Sequence, residues 1–404
     1  MPDGTTRIDS GVMGSGQPRI VVVYNRDFEG AEADPENKAR EDVESVADHL
    51  VGVLVAHGFS VTTLGVHDDV SATLVQIRQL APDVVFNLCE SICGDSRFEP
   101  LLPMLMEKDG IAFTGSGSLA LSLALHKHKS KEILRARGVP TPQAVVAYAA
   151  DQAVPLPFPL IVKPSREDAS VGIYSESVVA TAATLGARIG HVIAQYRQPA
   201  LVERYIEGRE IYVSLLGRTG APPEVLPFFE IDFSALPPDR PRIVSFEGKW
   251  VESSVEYAGT KPVPCVLSDD LHATVAAAAR DAFDALELRD YGRVDIRLDA
   301  DGTPYVIDVN PNCDLSHAAG GFARAARAAG LTYDDVVLRI LDLALSRRHH
   351  ADTIPLAARS RRLRRAEPLA SGEDPTGAET VRGSARAEGV SGPGIARRGG
   401  SQSG

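Results

Sequence analysis

Several features that define common protein classes are scarce in this sequence of 404 residues. Its four cysteines, Cys89, Cys93, Cys265 and Cys313, show neither CxxC spacing nor the density of a disulfide scaffold. No run of about 18 consecutive apolar residues is present, which argues against a membrane-spanning helix. The N-terminus also lacks the basic start and apolar run of a secretory signal. Together these absences predict a protein of the reducing cytoplasm.

Positive charge is in short supply as well. Lys and Arg number 42 against 54 Asp and Glu, so the formal net charge is -12. Such a balance argues against nucleic acid as a partner. Basic residues do cluster near the end of the chain, at 347–349 and 359–365. We interpret them as part of a solvated tail, because charge blocks of this kind are usually disordered.

Composition and periodicity divide the chain into two ordered units between disordered ends. Residues 1–18 and 349–404 are rich in polar residues and Gly and lack periodicity. In the first unit strands and helices alternate, with an acidic helix at about 36–57, and this order predicts a parallel sheet. The prolines in 139–142 end that unit. In the second unit, the Pro-rich segment 231–267 predicts a long loop, and such loops are commonly lids.

The segment 291–317 carries a dense set of candidate ligands. Hydrophobic residues alternate with a period of two on either side of Asp301-Gly302, which predicts a β-hairpin. Asp295 lies on the first strand, and Asp308 and Asn310 lie two residues apart at the end of the second, so all three can converge. Hard oxygen ligands without His or Cys suit Mg²⁺, which keeps part of its coordination shell for substrate phosphates.

A solvated hairpin with acidic residues on its wet face is the alternative interpretation of this segment. Two features favour the metal site. Asp308 and Asn310 stand at the end of an apolar strand rather than in its turn. Arg293 lies two residues before Asp295, where a cation can hold a transferring phosphoryl group.

Candidate substrate contacts follow the predicted parallel strands. Asn25, Asn87 and Glu90 fall at strand C-terminal ends, where such sheets bind ligands, although polar residues commonly cap strands for structural reasons. The strand predicted at 111–118 ends in Thr-Gly-Ser-Gly-Ser. This composition is typical of a backbone nest for an anion, but a simple turn between strand and helix is an equally good account.

Two strand pairs of the second unit carry candidate nucleotide contacts. Lys163 ends an apolar strand and precedes the Ser/Gly loop 165–172, as suits a phosphate contact; a lysine at a strand edge can instead aid solubility. Glu203 and Glu210 flank Ile206, where acids can accept from ribose hydroxyls or an adenine amino group. The alternative is a surface salt-bridge ladder with neighbouring arginines.

Taken together, these motifs resemble the ATP-grasp superfamily, and within it the D-alanine–D-alanine ligase group of carboxylate–amine ligases. The resemblance runs from about residue 20 to residue 347. Its carriers, in the order of the family, are VVFNL, FTGSGSLALSLALHKHKSKEILRARGVPTP, LIVKPSREDASVG, LVERYIEGREIYV, FEGKW and YGRVDIRLDADGTPYVIDVNPN.

The resemblance implies an ATP-grasp fold of the α/β class, α+β overall, with ATP held between the last two of three domains. The regions it implies are a disordered leader at 1–18, a parallel α/β substrate domain at 19–140, a small central domain at 141–216, an antiparallel-sheet domain at 217–348 containing the lid loop 231–267, and a disordered tail at 349–404. It also implies small carboxylate and amine substrates, such as amino acids or small peptides, and a homodimer.

The resemblance assigns roles by position. Those roles are ATP phosphate contacts by Lys127, Lys163 and Lys249, a phosphate loop containing Ser170, adenine and ribose contacts by Glu203, Ile206 and Glu210, two Mg²⁺ (or Mn²⁺) ions on Asp295, Asp308 and Asn310, and stabilisation of acyl phosphate and tetrahedral states by Arg293. The family's chemistry moves the γ-phosphoryl group onto a carboxylate, which needs cation density more than a nucleophilic side chain.

The sequence departs from the family at the positions that bind amino acids. Asp168 stands where the phosphate loop usually has Gly, and different residues occupy the substrate positions 24–27, 89–95 and 311–314. We therefore expect the reaction type to be retained and the substrate pair to differ, with Asp314 recognising an ammonium group of the acceptor. The alternatives are a D-alanine–D-alanine ligase proper and a non-catalytic ATP-binding module. The metal triad argues against the latter.

Overall fold

The computed structural model describes residues 5–8, 17–26, 43–217, 221–318 and 320–352. Most of the predicted leader, and the predicted tail beyond residue 352, lie outside these ranges. None of the helices in the described ranges has the length and apolarity needed to cross a membrane.

The N-terminal part is built on a four-stranded sheet. Its elements are β1 (Thr5–Ile8), β2 (Arg19–Asn25), α1 (Val43–Ala56), β3 (Ser60–Val66), α2 (Val70–Leu80), β4 (Val84–Asn87), α3 (Leu101–Asp109), α4 (Ser118–Leu125) and α5 (Lys127–Ala136). The strand order is β1-β3-β2-β4, and β2 is parallel to both β3 and β4. The predicted parallel sheet is thus confirmed.

Two local predictions for this part were wrong. Residues of the predicted leader form β1, which pairs antiparallel with the edge of β3 because exposed strand edges accept pairing whatever the periodicity of the added segment. The strand predicted at 111–118 is reduced to an isolated bridge between Val85 and Phe113. The chain turns away just after it, where Gly115 adopts a φ of 84°.

The central part is a small antiparallel sheet with one helix. It contains β5 (Ala144–Ala147), β6 (Leu160–Pro164), β7 (Val178–Val179), α6 (Ala182–Tyr196) and β8 (Ala200–Arg204), with strand order β5-β8-β6-β7. Leu185, Ile189 and Val192 of α6 pack on the apolar side chains of this sheet. Lys163 is consequently held at the end of a rigid strand.

A six-stranded sheet forms the C-terminal part. Its elements are β9 (Arg209–Gly217), β10 (Glu224–Val225), β11 (Phe229–Asp232), α7 (Phe246–Trp250), α8 (Val255–Gly259), β12 (Lys261–Pro264), α9 (Asp269–Ala285), β13 (Asp290–Leu298), β14 (Pro304–Asn310), α10 (Gly321–Ala328) and α11 (Tyr333–Asp352). The strand order is β12-β11-β9-β13-β14, with β10 on β9. Strand β9 pairs with β13 along its whole length, so it belongs to this sheet and not to the central region where the predicted bounds place it.

The segment 231–267 is more ordered than predicted. It contains the end of β11, the short helices α7 and α8, and β12. Ser245 caps α7 by accepting from the backbone N–H of Gly248, and Ser254 caps α8 in the same way at Tyr257. Helices this short give little periodic signal in a sequence.

Candidate active site

The β13–β14 hairpin brings the candidate metal ligands together. The two strands pair antiparallel, with Asp295 opposite Asp308 and Arg293 opposite Asn310. The amide nitrogen of Asn310 donates to Oδ2 of Asp295 at 3.2 Å. The hairpin predicted from the alternating sequence is present, and its three oxygen-bearing side chains share one end of the sheet.

Two cations contact these carboxylates. Lys127 Nζ lies 2.9 and 2.8 Å from the two carboxylate oxygens of Asp308. Arg293 forms a bidentate pair with Asp295 at 2.6 and 2.9 Å, and its guanidinium lies 4.9 Å from the centre of the Tyr212 ring. Burial opposes ionisation of Asp308, but the ammonium groups of Lys127 and Lys163 outweigh it and lower the pKa of Asp308.

Glu203 lies between two lysines in the interior. Its side chain is 2% exposed, and its two oxygens lie 3.0 Å from Nζ of Lys131 and Nζ of Lys163. Burial favours the neutral acid, yet the two ammonium groups lower the pKa of Glu203. The alternative of a surface ladder does not apply to Glu203.

Lys131 was missed by the sequence analysis. It follows Lys127 by four residues on α5, so both lysines point from the same face of the helix. Its Nζ also lies 3.2 Å from the carbonyl oxygen of Ile307, next to Asp308 on β14. Burial, only partly offset by Glu203, lowers the pKa of Lys131 to about 8. The i, i+4 spacing was the available signal.

Glu210 and Ile206 lie beside the β8–β9 turn and are both buried. Glu210 accepts from the Tyr212 hydroxyl at 3.0 Å and lies 3.4 Å from Arg297, a residue that the sequence analysis did not single out. Burial raises the pKa of Glu210. Arg209 does form a surface pair, with Glu230 at 2.7 Å, so the salt-bridge alternative holds for that arginine.

The predicted lid is fastened to the predicted phosphate loop. Trp250 Nε1 donates to the carbonyl of Ala169 at 2.9 Å, and Ser170 Oγ donates to the carbonyl of Val244 at 3.0 Å. Lys249, next to Trp250 on α7, has its side chain exposed, and its charged surroundings include Arg293. The lid segment and the loop are therefore joined by two hydrogen bonds.

The Thr-Gly-Ser-Gly-Ser segment binds carboxylates of this chain. The backbone N–H of Gly115 donates to Asp290 at 2.8 Å, and the N–H and hydroxyl of Ser118 donate to the two oxygens of Glu107 at 3.1 and 2.6 Å. Asp290 and Glu107 therefore occupy two of the positions that an external anion would take.

Comparison with known proteins identifies the family. Residues 133–342 match the family model described as D-ala D-ala ligase C-terminus. The D-alanine–D-alanine ligase of Chromohalobacter salexigens is 32% identical over 330 residues, which cover 80% of this chain and 93% of that protein. The chain belongs to the D-alanine–D-alanine ligase family. Membership confirms the predicted resemblance and, with it, an ATP-dependent ligase that forms carbon–nitrogen bonds.

Two further likenesses agree with this assignment. The uncharacterized protein y4sG of Sinorhizobium fredii is 33% identical over 340 residues, which cover 81% of this chain and 96% of that protein. The crystal structure of D-alanine–D-alanine ligase from Bacillus anthracis complexed with ATP matches with a TM-score of 0.64 at 22% identity, over 83% of this chain and 100% of that one. The structural match confirms the predicted ATP-grasp fold.

Asp168, where the ligase family usually has Gly, pairs with a lysine of α5. Its Oδ1 accepts from Lys127 Nζ at 2.8 Å, so one ammonium group bridges Asp168 and Asp308. The extra negative charge that the sequence places beside the phosphates is thereby paired with a cation of this chain.

A cavity that is partly open to solvent lies in front of the ligase hairpin. It is lined by Asn310, Pro311 and Asn312 on one side and by the phosphate loop on another. Of the predicted strand-end contacts, Asn25 and Glu90 line it, and Asn25 Oδ1 accepts from the backbone N–H of Glu90 at 3.1 Å. Asn87 instead caps its own strand by accepting from the N–H of Cys89 at 3.3 Å.

Glu99 also lines this cavity, and the sequence analysis missed it. Glu99 lies in the chain between a short 3₁₀ turn at Ser96–Phe98 and α3. An acidic residue is common just before a helix, because a negative charge interacts favourably with the helix N-terminus. Asp314, which was expected to recognise an ammonium group, is exposed, and its two oxygens accept from the backbone N–H and the hydroxyl of Ser316 at 2.6 and 3.0 Å. The expectation for Asp314 stays a prediction.

The candidate metal ligands fit Mg²⁺ better than a softer ion. Within the described ranges no group of three or more His, Cys, Asp and Glu side chains is arranged to hold a metal. The candidate set has two carboxylates, Asp295 and Asp308, and the amide of Asn310, whose nitrogen faces Asp295. Oxygen ligands in this small number suit an ion that takes the rest of its shell from phosphates and water.

Proposed function

We propose that this ligase activates a small carboxylate as an acyl phosphate at the expense of ATP and transfers the acyl group to an amine, releasing ADP and phosphate. The observation that carries the proposal is the convergence of Lys127 and Arg293 on Asp308 and Asp295, beside a cavity with room for a small substrate. Two cations are thus held where a transferring phosphoryl group would need them.

The roles of the residues follow from this arrangement. The substrate carboxylate oxygen attacks the γ-phosphorus, and ADP leaves. The amine then attacks the carbonyl carbon and gives up a proton, and phosphate leaves with the bonding electron pair. Arg293, which contacts Asp295 and Tyr212, is proposed to stabilise the negative charge that develops in both steps. Mg²⁺ on Asp295, Asp308 and Asn310 would neutralise phosphate charge when bound.

The nucleotide is expected between the central and C-terminal sheets. Lys163 of β6 is proposed to contact its phosphates, and Glu203, Ile206 and Glu210 its adenine and ribose. All four are buried, which suits a site from which water is excluded. The lid hydrogen bonds at Ala169 and Ser170 support the same requirement, because an acyl phosphate open to solvent would be hydrolysed.

Oxygen-isotope transfer tests the intermediate directly. A substrate labelled with ¹⁸O in its carboxylate should deliver one labelled oxygen to the released phosphate, because that oxygen bridges carbon and phosphorus in an acyl phosphate. Unlabelled phosphate accompanied by amide formation would exclude the intermediate. The exposed Asp301 in the hairpin turn offers a control variant, Asp301→Asn, which should transfer label as the wild type does.

A second candidate is D-alanine–D-alanine ligase activity itself. This candidate is favoured by the name of the Chromohalobacter salexigens relative. That protein matches this chain over 93% of its length. Phosphate release stimulated by D-alanine alone, with D-alanyl-D-alanine as product, would establish this candidate. The altered substrate positions, among them Asn25 and Glu90 in the cavity wall, favour a different substrate pair.

A further inference from the structure

The cavity in front of the hairpin is lined by an unusual excess of acidic side chains. Its acidic lining residues are Glu90, Glu99, Glu167 and Asp168, and no Lys or Arg side chain is among the described residues that line it. Asp168 is paired with Lys127, and Glu167 accepts from the Gln198 amide at 2.8 Å. Of these four acids, Glu99 is the most deeply buried.

Glu99 lines the cavity and is anchored by one of its carboxylate oxygens. The residue is 8% exposed, and its Oε1 accepts from the amide nitrogen of Asn312 at 2.9 Å. Asn312 is itself fixed, because its amide oxygen accepts from the Tyr291 hydroxyl at 2.7 Å and its nitrogen also donates to the carbonyl of Cys89 at 3.0 Å. Among the described residues, none donates a hydrogen bond to Oε2 of Glu99.

The electrostatic surroundings of Glu99 oppose its ionisation unless a cation is bound beside it. Burial, together with the nearby carboxylates of Asp168 and Glu90, raises the pKa of Glu99 well above its usual range. No described Lys or Arg forms an ion pair with it. Burial thus favours the neutral acid, and a cation bound beside Glu99 would supply the partner that its carboxylate needs in order to ionise.

We propose that the cavity receives an acceptor amine that carries a second positively charged group, and that Oε2 of Glu99 binds this second group. The inference rests on the proposed amide-forming reaction, since it names the amine substrate of that same site. One amino group attacks the acyl phosphate near Asn310, and the other charge is neutralised by Glu99. Diamines and amines with a basic side chain are the class of acceptor.

A simple zwitterionic amino acid fits the cavity less well. Its carboxylate needs a cationic partner, and the lining offers carboxylates instead. D-alanine bound in this cavity would bring its carboxylate close to the carboxylates of the lining, and no cation of the described lining would compensate them. The structure therefore distinguishes the acceptor of this chain from D-alanine by charge.

The test compares binding of matched amines to the full chain in the presence of Mg-ADP, by calorimetry. The probes are linear diamines of three to six carbons, the monoamines of equal length, and D-alanine. The best diamine should bind roughly 10- to 100-fold more tightly than its monoamine, as expected for one charge-assisted hydrogen bond in a buried site. Equal affinity of diamine and monoamine, tighter binding of D-alanine, or binding of no amine would each overturn the proposal.

Two variants locate the effect. Glu99→Gln keeps an oxygen for the Asn312 amide and removes the charge, so it should bind diamine and monoamine equally. Glu132→Gln, a change at an exposed carboxylate paired with Lys129, should discriminate as the wild type does. Discrimination that survives in Glu99→Gln would contradict the assignment of Oε2.

Binding and turnover separate this inference from the proposed reaction. Preferential diamine binding without any amide product would refute the reaction and leave the cavity assignment standing. Amide formation with neutral or zwitterionic acceptors, and no diamine preference, would refute the inference and leave the reaction standing.

Discussion

Lys127 Nζ is shared between Asp308 and Asp168, at 2.8 Å from an oxygen of each. A lysine that the family places on ATP phosphates is thus held by a candidate metal ligand and by the phosphate loop. The ammonium is 5% exposed, so it is already desolvated and fixed in position. A charge arranged before the substrate arrives costs no reorganisation during the reaction, which is how preorganised sites lower barriers.

Replacement of Lys163 should affect both catalysis and stability. Lys163→Met removes a phosphate contact and should slow turnover by roughly 10²- to 10³-fold. It also leaves Glu203 with Lys131 alone, so the free energy of unfolding should fall, by less than the roughly 3–5 kcal/mol lost when a buried charge has no partner left. Denaturant titration and steady-state kinetics measure the two effects.

A double variant tests the partner assigned to Lys131. Lys163→Met with Glu203→Gln leaves the buried Lys131 without a carboxylate partner, so it should be less stable than Lys163→Met alone. Turnover should stay low. A double variant more stable than Lys163→Met would contradict the ion pair between Lys131 and Glu203.

The ion pairs of Glu203 should make stability depend on pH in the acid range. Its folded pKa is lowered from the usual 4.5, so its stabilising contribution is complete above that value and is lost as pH falls through the folded pKa. The stability difference between wild type and Glu203→Gln should therefore shrink below about pH 4.5. A constant difference down to acid unfolding would contradict the buried ion pairs.

The lid should protect the intermediate through Trp250. Trp250→Phe keeps an aromatic ring and loses the hydrogen bond from Nε1 to Ala169, which is worth about 1 kcal/mol. Lid opening should rise by about five-fold, and with it the ratio of phosphate released to amide formed. Tyr257→Phe, a change of similar size elsewhere in the lid segment, is the control. An unchanged ratio in Trp250→Phe would exclude this contact from water exclusion.

Asp314 and Glu99 offer competing assignments for recognition of the acceptor. Asp314→Asn should raise the KM for the amine strongly if the carboxylate binds an ammonium group. Both of its oxygens already accept from Ser316, whereas Glu99 lines the cavity and one of its oxygens is bound by Asn312. Comparison of KM for the amine in Asp314→Asn and Glu99→Gln decides between them, and an unchanged KM in Asp314→Asn removes that residue from the site.

The parts of the site that follow from local patterns were predictable. The β13–β14 hairpin shows alternating hydrophobicity around an Asp-Gly turn, and the two-residue spacing of Asp308 and Asn310 fixes their common direction. The family resemblance supplied what local pattern did not, such as the choice of Lys127 as a candidate phosphate contact; its contact with Asp308 emerged only from the structure.

Residues whose importance depends on distant partners were not predictable. Lys131, on helix α5, is defined by its contact with Glu203 on strand β8. Glu99 is defined by its contact with Asn312, which follows the hairpin. Neither partner is close in sequence, so no spacing indicates the pair. Likewise β9 joined the larger sheet because its long pairing with β13 outweighs its closeness in sequence to β8.

Phosphate release tests the central claim most directly. Purified protein with Mg-ATP would be offered single amino acids, pairs of amino acids, and amino acids paired with diamines, in parallel with Asp308→Asn and the control Asp301→Asn. The account predicts release that requires a specific carboxylate and a specific amine, is lost in Asp308→Asn, whose fold should be intact, and persists in Asp301→Asn. Release that needs no amine, or an Asp308→Asn variant with near-normal kcat, would contradict it.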